Sequence, residues 1–305
     1  MMSKKFSDAL QKAREIEVDN RYYADSYLSN IYNTQMSEKH IRMFCKGGGK
    51  ELFPKDGEKE KAACIYSSSM LAYNFFSWID KEHPLEYDGV IYNKVIFEEQ
   101  FRVLKSRNNK ANIDVLLISE DNKTILLLES KFTEHLKLKP IEISEAYSID
   151  QSYFSNGEKW VEIINSLRND MSRNKKAYYE GLKQVACHLI GISSAILNEE
   201  ANKWFNQNSW MHHIENINIT DDTTLIFKSI VFNPKLEEER TRTNEYIELN
   251  KEFMTQISEQ SILPSKLIIA TPIITYREIW EGGMESSIKD NELKEYLGNY
   301  LEVHA

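Results

Sequence analysis

The segment from Ala111 to Glu134, ANIDVLLISEDNKTILLLESKFTE, holds two apolar runs joined by the polar turn Ser119-Glu120-Asp121-Asn122-Lys123. Runs this short and rich in Ile, Leu and Val, broken by Asp and Asn, predict two strands, Asn112–Ser119 and Thr124–Lys131, paired as a hairpin. The first carries Asp114 within it, and the second ends on Glu129-Ser130-Lys131. Burying an unpaired carboxylate costs several kcal/mol. Two that converge therefore call for a cation between them.

Side chains alternate along a strand, so Glu129 and Lys131 share one face while Ser130 points away. A hairpin partner brings Asp114 beside Glu129 where the register permits. Two carboxylates and a backbone carbonyl at Ser130 make a set of hard oxygen donors suited to Mg²⁺, which keeps several waters and takes phosphate oxygens as further ligands. An ion there lowers the pKa of a bound water and offsets charge developing on a phosphate. Lys131, a compact cation, is placed to position or activate that water.

The rest of the chain supplies a framework. Residues 3 to about 42 read as helical, with Phe6, Leu10, Ala13 and Ile16 at helical spacing, and the region from Tyr22 to Tyr32 as a second helix. Lys46-Gly47-Gly48-Gly49-Lys50 lacks the spacing of a phosphate-binding loop and reads as a flexible connection. A helix follows over Ser67–Ile79, with a serine N-cap and one unexpected polar residue, Asn74, which is expected to satisfy backbone groups. Strands are expected over Val90–Leu104, Thr224–Phe232 and Ser265–Tyr276, the last bent by Pro272. Helices are expected from Trp160 to Leu167, from Asp170 to Ser194 and over Lys235–Gln260, with Ile141–Phe154 irregular or weakly helical. Strands and helices mixed along one stretch predict an α/β fold, a mixed central β-sheet flanked by helices. Residues 1–60 are read as a helical N-terminal extension and 61–305 as the core domain.

Composition narrows the function classes. With 305 residues, 41% of them hydrophobic and 28% charged, the chain is long enough to bury a real core. No apolar run approaches the roughly 18–20 residues needed to cross a bilayer. The polar N-terminus does not resemble a secretory signal. The three cysteines are far apart with no CxxC pair, which predicts reduced thiols in a cytoplasmic protein rather than a disulfide framework or zinc site.

The net charge of −9 opposes nucleic-acid binding as a whole. The basic residues are segregated, however. They cluster at Arg102, Lys105, Arg107 and Lys110, at Lys137 and Lys139, and at Arg168, Arg173, Lys175, Lys176 and Lys183, all flanking the carboxylates in sequence. No GxSxG elbow, HExxH helix or dinucleotide fingerprint is present, and the adjacent His212-His213 do not face one site on a helix.

Asp114 followed by Glu129-x-Lys131 resembles the motif of the PD-(D/E)XK nuclease superfamily, the fold of many restriction endonucleases, with Ile113 in place of the usual proline. The order SSSMLAYNFF, FEEQF, ANIDVLL, LLLESKFTE, YYEGLKQVACHL resembles a restriction-endonuclease-like branch over about residues 66–192. The resemblance implies dependence on a divalent metal, Mg²⁺ with Mn²⁺ able to substitute, and cleavage of DNA. It implies Asp114, Glu129 and the Ser130 carbonyl as metal ligands and Lys131 as the residue assisting water. A further glutamate upstream is either Glu98, which better matches the Phe-Glu step, or Glu99, in the row Val95, Phe97, Phe101, Val103. Gln184, on the following helix, is placed to reach the metal-bound water or a phosphate, or is a buried hydrogen-bonding residue. His188, one turn on, reads as a core histidine, and Glu134 as a cap or a site residue.

The expected function is thus a metal-dependent endonuclease acting on DNA, of restriction, defence or repair type, with cleavage of both strands favouring a homodimer. The alternative is a catalytically silent nuclease-like module that binds nucleic acid or protein. An RNA substrate is a third possibility.

Overall fold

The computed structural model describes residues 4–46, 50–55, 57–104, 110–136, 143–149, 156–174 and 178–303; for 135, 149, 171–174 and 178–180 it describes the backbone alone. In chain order the strands are β1 (Leu85–Tyr87), β2 (Val90–Arg102), β3 (Lys110–Ser119), β4 (Thr124–Lys131), β5 (Thr224–Val231), β6 (Leu267–Ile268) and β7 (Ile273–Thr275). The helices before the sheet are α1 (Lys4–Arg14), α2 (Glu38–Lys46) and α3 (Ser68–Phe76). Between β4 and β5 lie α4 (Ala146–Ile149), α5 (Gly157–Asn174), α6 (Tyr178–Leu197), α7 (Glu199–Asn208) and α8 (Trp210–Glu215). After β5 come α9 (Glu237–Glu259), α10 (Tyr276–Ile279), α11 (Glu285–Ser287) and α12 (Asn291–Leu301).

The strands form one mixed sheet in the order β1-β2-β3-β4-β5-β6, with β7 also on β5. β1 to β4 make an antiparallel meander, and β5 adds parallel to β4. Parallel neighbours need a long connection, and the α4–α8 segment provides it. The Thr124–Lys131 strand has the expected bounds, and the polar turn before it is held by Asp121, which accepts from Ser119 Oγ at 2.6 Å and Lys123 N at 3.0 Å. Ser67 caps α3 by accepting from Met70 N.

Adjacent residues of β4 show how the sheet is covered. Glu129 meets His188 of α6, whereas Ser130 Oγ donates to the Ser68 carbonyl of α3 at 3.2 Å. α6 and α3 therefore cover opposite faces. Phe6 of α1 packs edge-on against Phe132, with centroids 6.4 Å apart, and lies 6.3 Å from Phe232. Phe6, Leu10, Met43 and Phe44 share one buried cluster with the sheet residues. The mixed α/β architecture, flanking helices and N-terminal helix are those expected from the sequence.

Three local expectations differ. The region from Tyr22 to Tyr32 is not a helix: Tyr22 and Asn33 adopt left-handed backbone, φ 65° and 58°, and only short 3-10 turns form at Leu28–Asn30 and Tyr32–Thr34. Asn30 holds this path, its Nδ2 donating to the carbonyls of Ala62 at 2.6 Å and Cys64 at 2.8 Å. Ser265–Tyr276 is two short strands rather than one, because Thr271 at φ 49° and Pro272 turn the chain between β6 and β7. One long α5 extends through residues 168–169, where two helices were expected to part. The glycine segment at 47–49 lies outside the described residues, as do 141–142 and 150–154 of Ile141–Phe154, of which α4 is the helical part.

Candidate active site at the fork between β3 and β4

The β3–β4 ladder ends at the Val115–Leu128 pair. Beyond it, β3 stays paired with β2 as far as Lys110, while Glu129 to Lys131 pair with β5. The two strands part there, and a cleft of about 450 Å³ opens at the fork. Asp114 and Glu129 are the first residues past the last pair, one on each prong. Ser130 N donates to Asp114 Oδ2 across the gap at 2.7 Å. The cleft is lined by Asp114, Glu129, Lys131, Glu98, Gln184 and His188, with Glu51, Glu134 and the Ser68-Ser69 end of α3 among the other walls.

Lys131 Nζ donates to Glu129 Oε1 and lies 3.4 Å from the Ser130 carbonyl oxygen. His188 Nε2 stands 2.9 Å from Glu129 Oε2. Burial pushes the Glu129 carboxyl up, but attraction to His188 and Lys131 outweighs it and holds the pKa at about 2. Burial works against the Lys131 charge, yet Glu129 and Asp114 raise its pKa above the ordinary value. Lys131 thus stays a cation and is no proton acceptor. Asp114 is held well above the usual carboxylate range, first by burial and then by the Glu129 charge. Glu98 is pushed up to about 8 by burial and by repulsion from Glu51.

The two upstream glutamates separate cleanly. Glu98 is buried in the cleft, its Oε2 accepting from Asn112 Nδ2 at 2.9 Å. Its backbone is left-handed, φ 56°, between the Phe97–Val115 and Glu99–Ile113 pairs. A non-glycine residue at positive φ within a strand carries strain that surrounding structure must over-determine, a pattern concentrated at functional sites. Glu99 is no cleft residue. Its Oε2 accepts from Ser209 Oγ at 3.0 Å and Met211 N at 2.9 Å, and its Oε1 from Trp210 N at 3.2 Å, which ties β2 to the start of α8. Of the two candidates held open, Glu98 is the one that lines the cleft, and the Glu99 carboxylate in that apolar row satisfies buried N–H and O–H groups.

No family model matches the chain, nor does any curated protein or solved structure. The chemistry of the cleft is therefore argued from its own atoms.

The donors fit a hard divalent cation. The carboxylates of Asp114, Glu129 and Glu98 converge on the cleft, the Ser130 carbonyl lies 3.4 Å from Lys131 Nζ, and among the described residues Glu129 Oε2 has no hydrogen-bond partner. Among the described residues, no three His, Cys, Asp or Glu side chains are gathered closely enough to hold an ion on their own. Mg²⁺ does not require that, since one or two carboxylates with water and substrate phosphate ordinarily suffice.

Other expectations resolve residue by residue. Gln184 and His188 both line the cleft from α6, one turn apart. Glu134 is a wall of the cleft, its Oε2 accepting from the N–H groups of the two residues before it, Phe132 at 2.8 Å and Thr133 at 2.9 Å, rather than from the segment after it. Burial pushes Glu134 up, and Lys131 and Ser68 bring it below its ordinary value. Asn74 bonds backbone, accepting from Tyr32 N at 2.8 Å and donating to the Asn30 carbonyl at 3.2 Å. Arg168 is committed to structure, donating to Asn165 at 2.7 Å and to the Ile143 and Ser144 carbonyls at 3.3 Å. Lys110, at the cleft, donates to Gln100 at 3.1 Å and lies 5.3 Å from the Trp204 ring centre. Lys105, Arg107, Lys137, Lys139, Lys175 and Lys176 lie outside the described residues, and Arg173 is described only in its backbone. Glu51 was not singled out from the sequence; it follows a glycine-rich break and belongs to no periodic element that would mark it.

Proposed function

We propose that the chain is a divalent-metal-dependent endonuclease that hydrolyses DNA phosphodiester bonds. One observation carries the reading: Asp114, Glu129 and Lys131 meet at the fork between two strands, in a cleft walled by Glu98 and Gln184. A phosphodiester entering so acidic a cleft requires a cation. The resemblance of these residues to the PD-(D/E)XK motif supports the same chemistry.

In this reading Asp114, Glu129 and the Ser130 carbonyl hold Mg²⁺ or Mn²⁺. The ion supplies an acidified water and neutralises charge on the phosphate. Lys131 remains protonated and donates through Nζ toward the attacking water or a phosphate oxygen, with Glu129 fixing its direction. Ser130 N aims Asp114 through the hydrogen bond to Oδ2. Glu98, pushed up to about 8 and so mostly protonated at neutral pH, is placed to exchange a proton at the site. Gln184 is positioned to hydrogen-bond water or phosphate.

A second reading has its own observation. Both Glu129 oxygens are met within the protein, Oε1 by Lys131 Nζ and Oε2 by His188 Nε2, as in a nuclease-like fold kept for binding without turnover. Incubation of supercoiled plasmid, linear duplex and RNA with purified protein, in Mg²⁺ or EDTA, separates the two. Metal-dependent cleavage of either nucleic acid supports the enzyme and identifies the substrate. Retention of DNA on a gel without cleavage in Mg²⁺ or Mn²⁺ favours the silent module. Light scattering alongside tests the homodimer that double-strand cleavage favours.

A further inference from the structure

His188 is only 4% exposed, and Glu129 only 3%. A buried imidazole is ordinarily fixed by a hydrogen bond on at least one ring nitrogen. Among the described residues neither Nδ1 nor Nε2 meets a hydrogen-bond partner, and neither does Glu129 Oε2. Nε2 and Oε2 stand 2.9 Å apart. Two donors at right angles on one ion, each with a bond of about 2.1 Å, stand about 3.0 Å apart. The other Glu129 oxygen is taken by Lys131, so Oε2 is the one left to bind. The Phe227 ring, 6.2 Å from His188 by centroids, packs the imidazole from the sheet side.

We propose that His188 is a metal ligand, sharing one ion with Glu129 Oε2, and that the site therefore prefers a first-row transition ion such as Mn²⁺ over Mg²⁺. The inference rests on the metal-dependent reading above and adds the identity of a ligand and of the ion. An imidazole nitrogen is a poor partner for Mg²⁺, which is bound through oxygen, and a good one for transition ions. His188 joins Asp114 and the Ser130 carbonyl of the reading above, and water and phosphate oxygens complete the coordination beside the 2.9 Å pair.

Electron spin-echo spectroscopy of Mn²⁺ added to the full-length protein tests this without reference to activity. The expected result is nitrogen-14 modulation on bound Mn²⁺, replaced by nitrogen-15 coupling when histidine alone is isotopically labelled. His188→Gln should abolish the modulation and weaken Mn²⁺ binding at least about tenfold, with a smaller effect on Mg²⁺. His188→Asn, checked for folding by circular dichroism, serves if the glutamine variant does not fold. Stoichiometric Mn²⁺ binding with no nitrogen coupling, or coupling that persists in both variants, overturns the assignment and leaves the metal-dependent reading standing. Failure of the unaltered chain to bind Mn²⁺ or Mg²⁺ at all overturns both.

Discussion

Glu98 and Glu99 are consecutive in β2, yet their carboxylates serve different structures: Glu98 accepts from Asn112 inside the cleft, and Glu99 accepts from Ser209, Trp210 and Met211 at the start of α8. Replacing Glu99 by alanine leaves buried N–H and O–H donors without acceptors, at about 1–3 kcal/mol for each group. Glu99→Ala is expected to lower thermal stability substantially while cleavage per folded molecule is retained. Glu98→Gln is expected to reduce cleavage by about 100-fold or more and to leave α8 in place. Melting curves and cleavage rates on both variants check the division.

Glu98 also sets a stability profile. Its folded pKa is raised to about 8, by burial and by Glu51, so the folded state binds the proton more tightly than the unfolded one. Its contribution is present below the ordinary carboxylate pKa and lost as pH rises through about 8. In EDTA, Glu98→Gln is expected to be more stable than the unaltered protein at pH 9, by a few kcal/mol, and close to it at pH 4. Denaturant titrations at the two values measure the difference.

His40 gives a slope of the opposite sign. It is buried against Tyr73 and Phe97, with ring centroids 5.4 and 5.1 Å away. Burial, and secondarily Lys39, depress its pKa from 6.5 to about 4. The unfolded chain binds the extra proton between those values. The stability associated with neutral His40 is therefore complete above pH 6.5 and falls away as pH drops to about 4. His40→Gln should remove roughly 3 kcal/mol of that dependence, read as a flatter plot of unfolding free energy against pH.

Gly181 allows α6 and α9 to approach behind the site. A Cβ there would stand 2.3 Å from Tyr246 Oη, and Tyr246 is a fully buried side chain whose hydroxyl accepts from Asn250 at 3.3 Å. Gly181→Ala is expected to destabilise by about 1–3 kcal/mol through overpacking, in spite of the better helix propensity of alanine. Chemical denaturation checks the sign.

The sequence made the sheet and its hairpin legible because apolar runs punctuated by Asp and Asn carry their own boundaries; β4 begins at Thr124 and ends at Lys131 as read. The convergence of Asp114 with Glu129 was legible only up to the register, which the sequence left open and the Val115–Leu128 pair sets. The fork itself was not. It depends on where the β3–β4 ladder stops while β3 stays on β2 and β4 on β5, a tertiary preference with no local signal. The Tyr22–Tyr32 region misled because its aromatic spacing is helical, whereas its path is set by Asn30 bonds to carbonyls more than thirty residues away. His188 looked like a core histidine for a related reason: only the packing of α6 on β4 sets its ring against Glu129.

The most direct test of the account is hydrolysis of an end-labelled DNA duplex by the unaltered protein and by Lys131→Ala, each with Mg²⁺, Mn²⁺ and EDTA. Folding of the variant is verified beforehand, because removing Lys131 takes one cation from a buried carboxylate. The account predicts metal-dependent cleavage by the unaltered chain, none in EDTA, and loss of at least about 100-fold in the folded variant. Full activity of Lys131→Ala, or cleavage undiminished by EDTA, would contradict it.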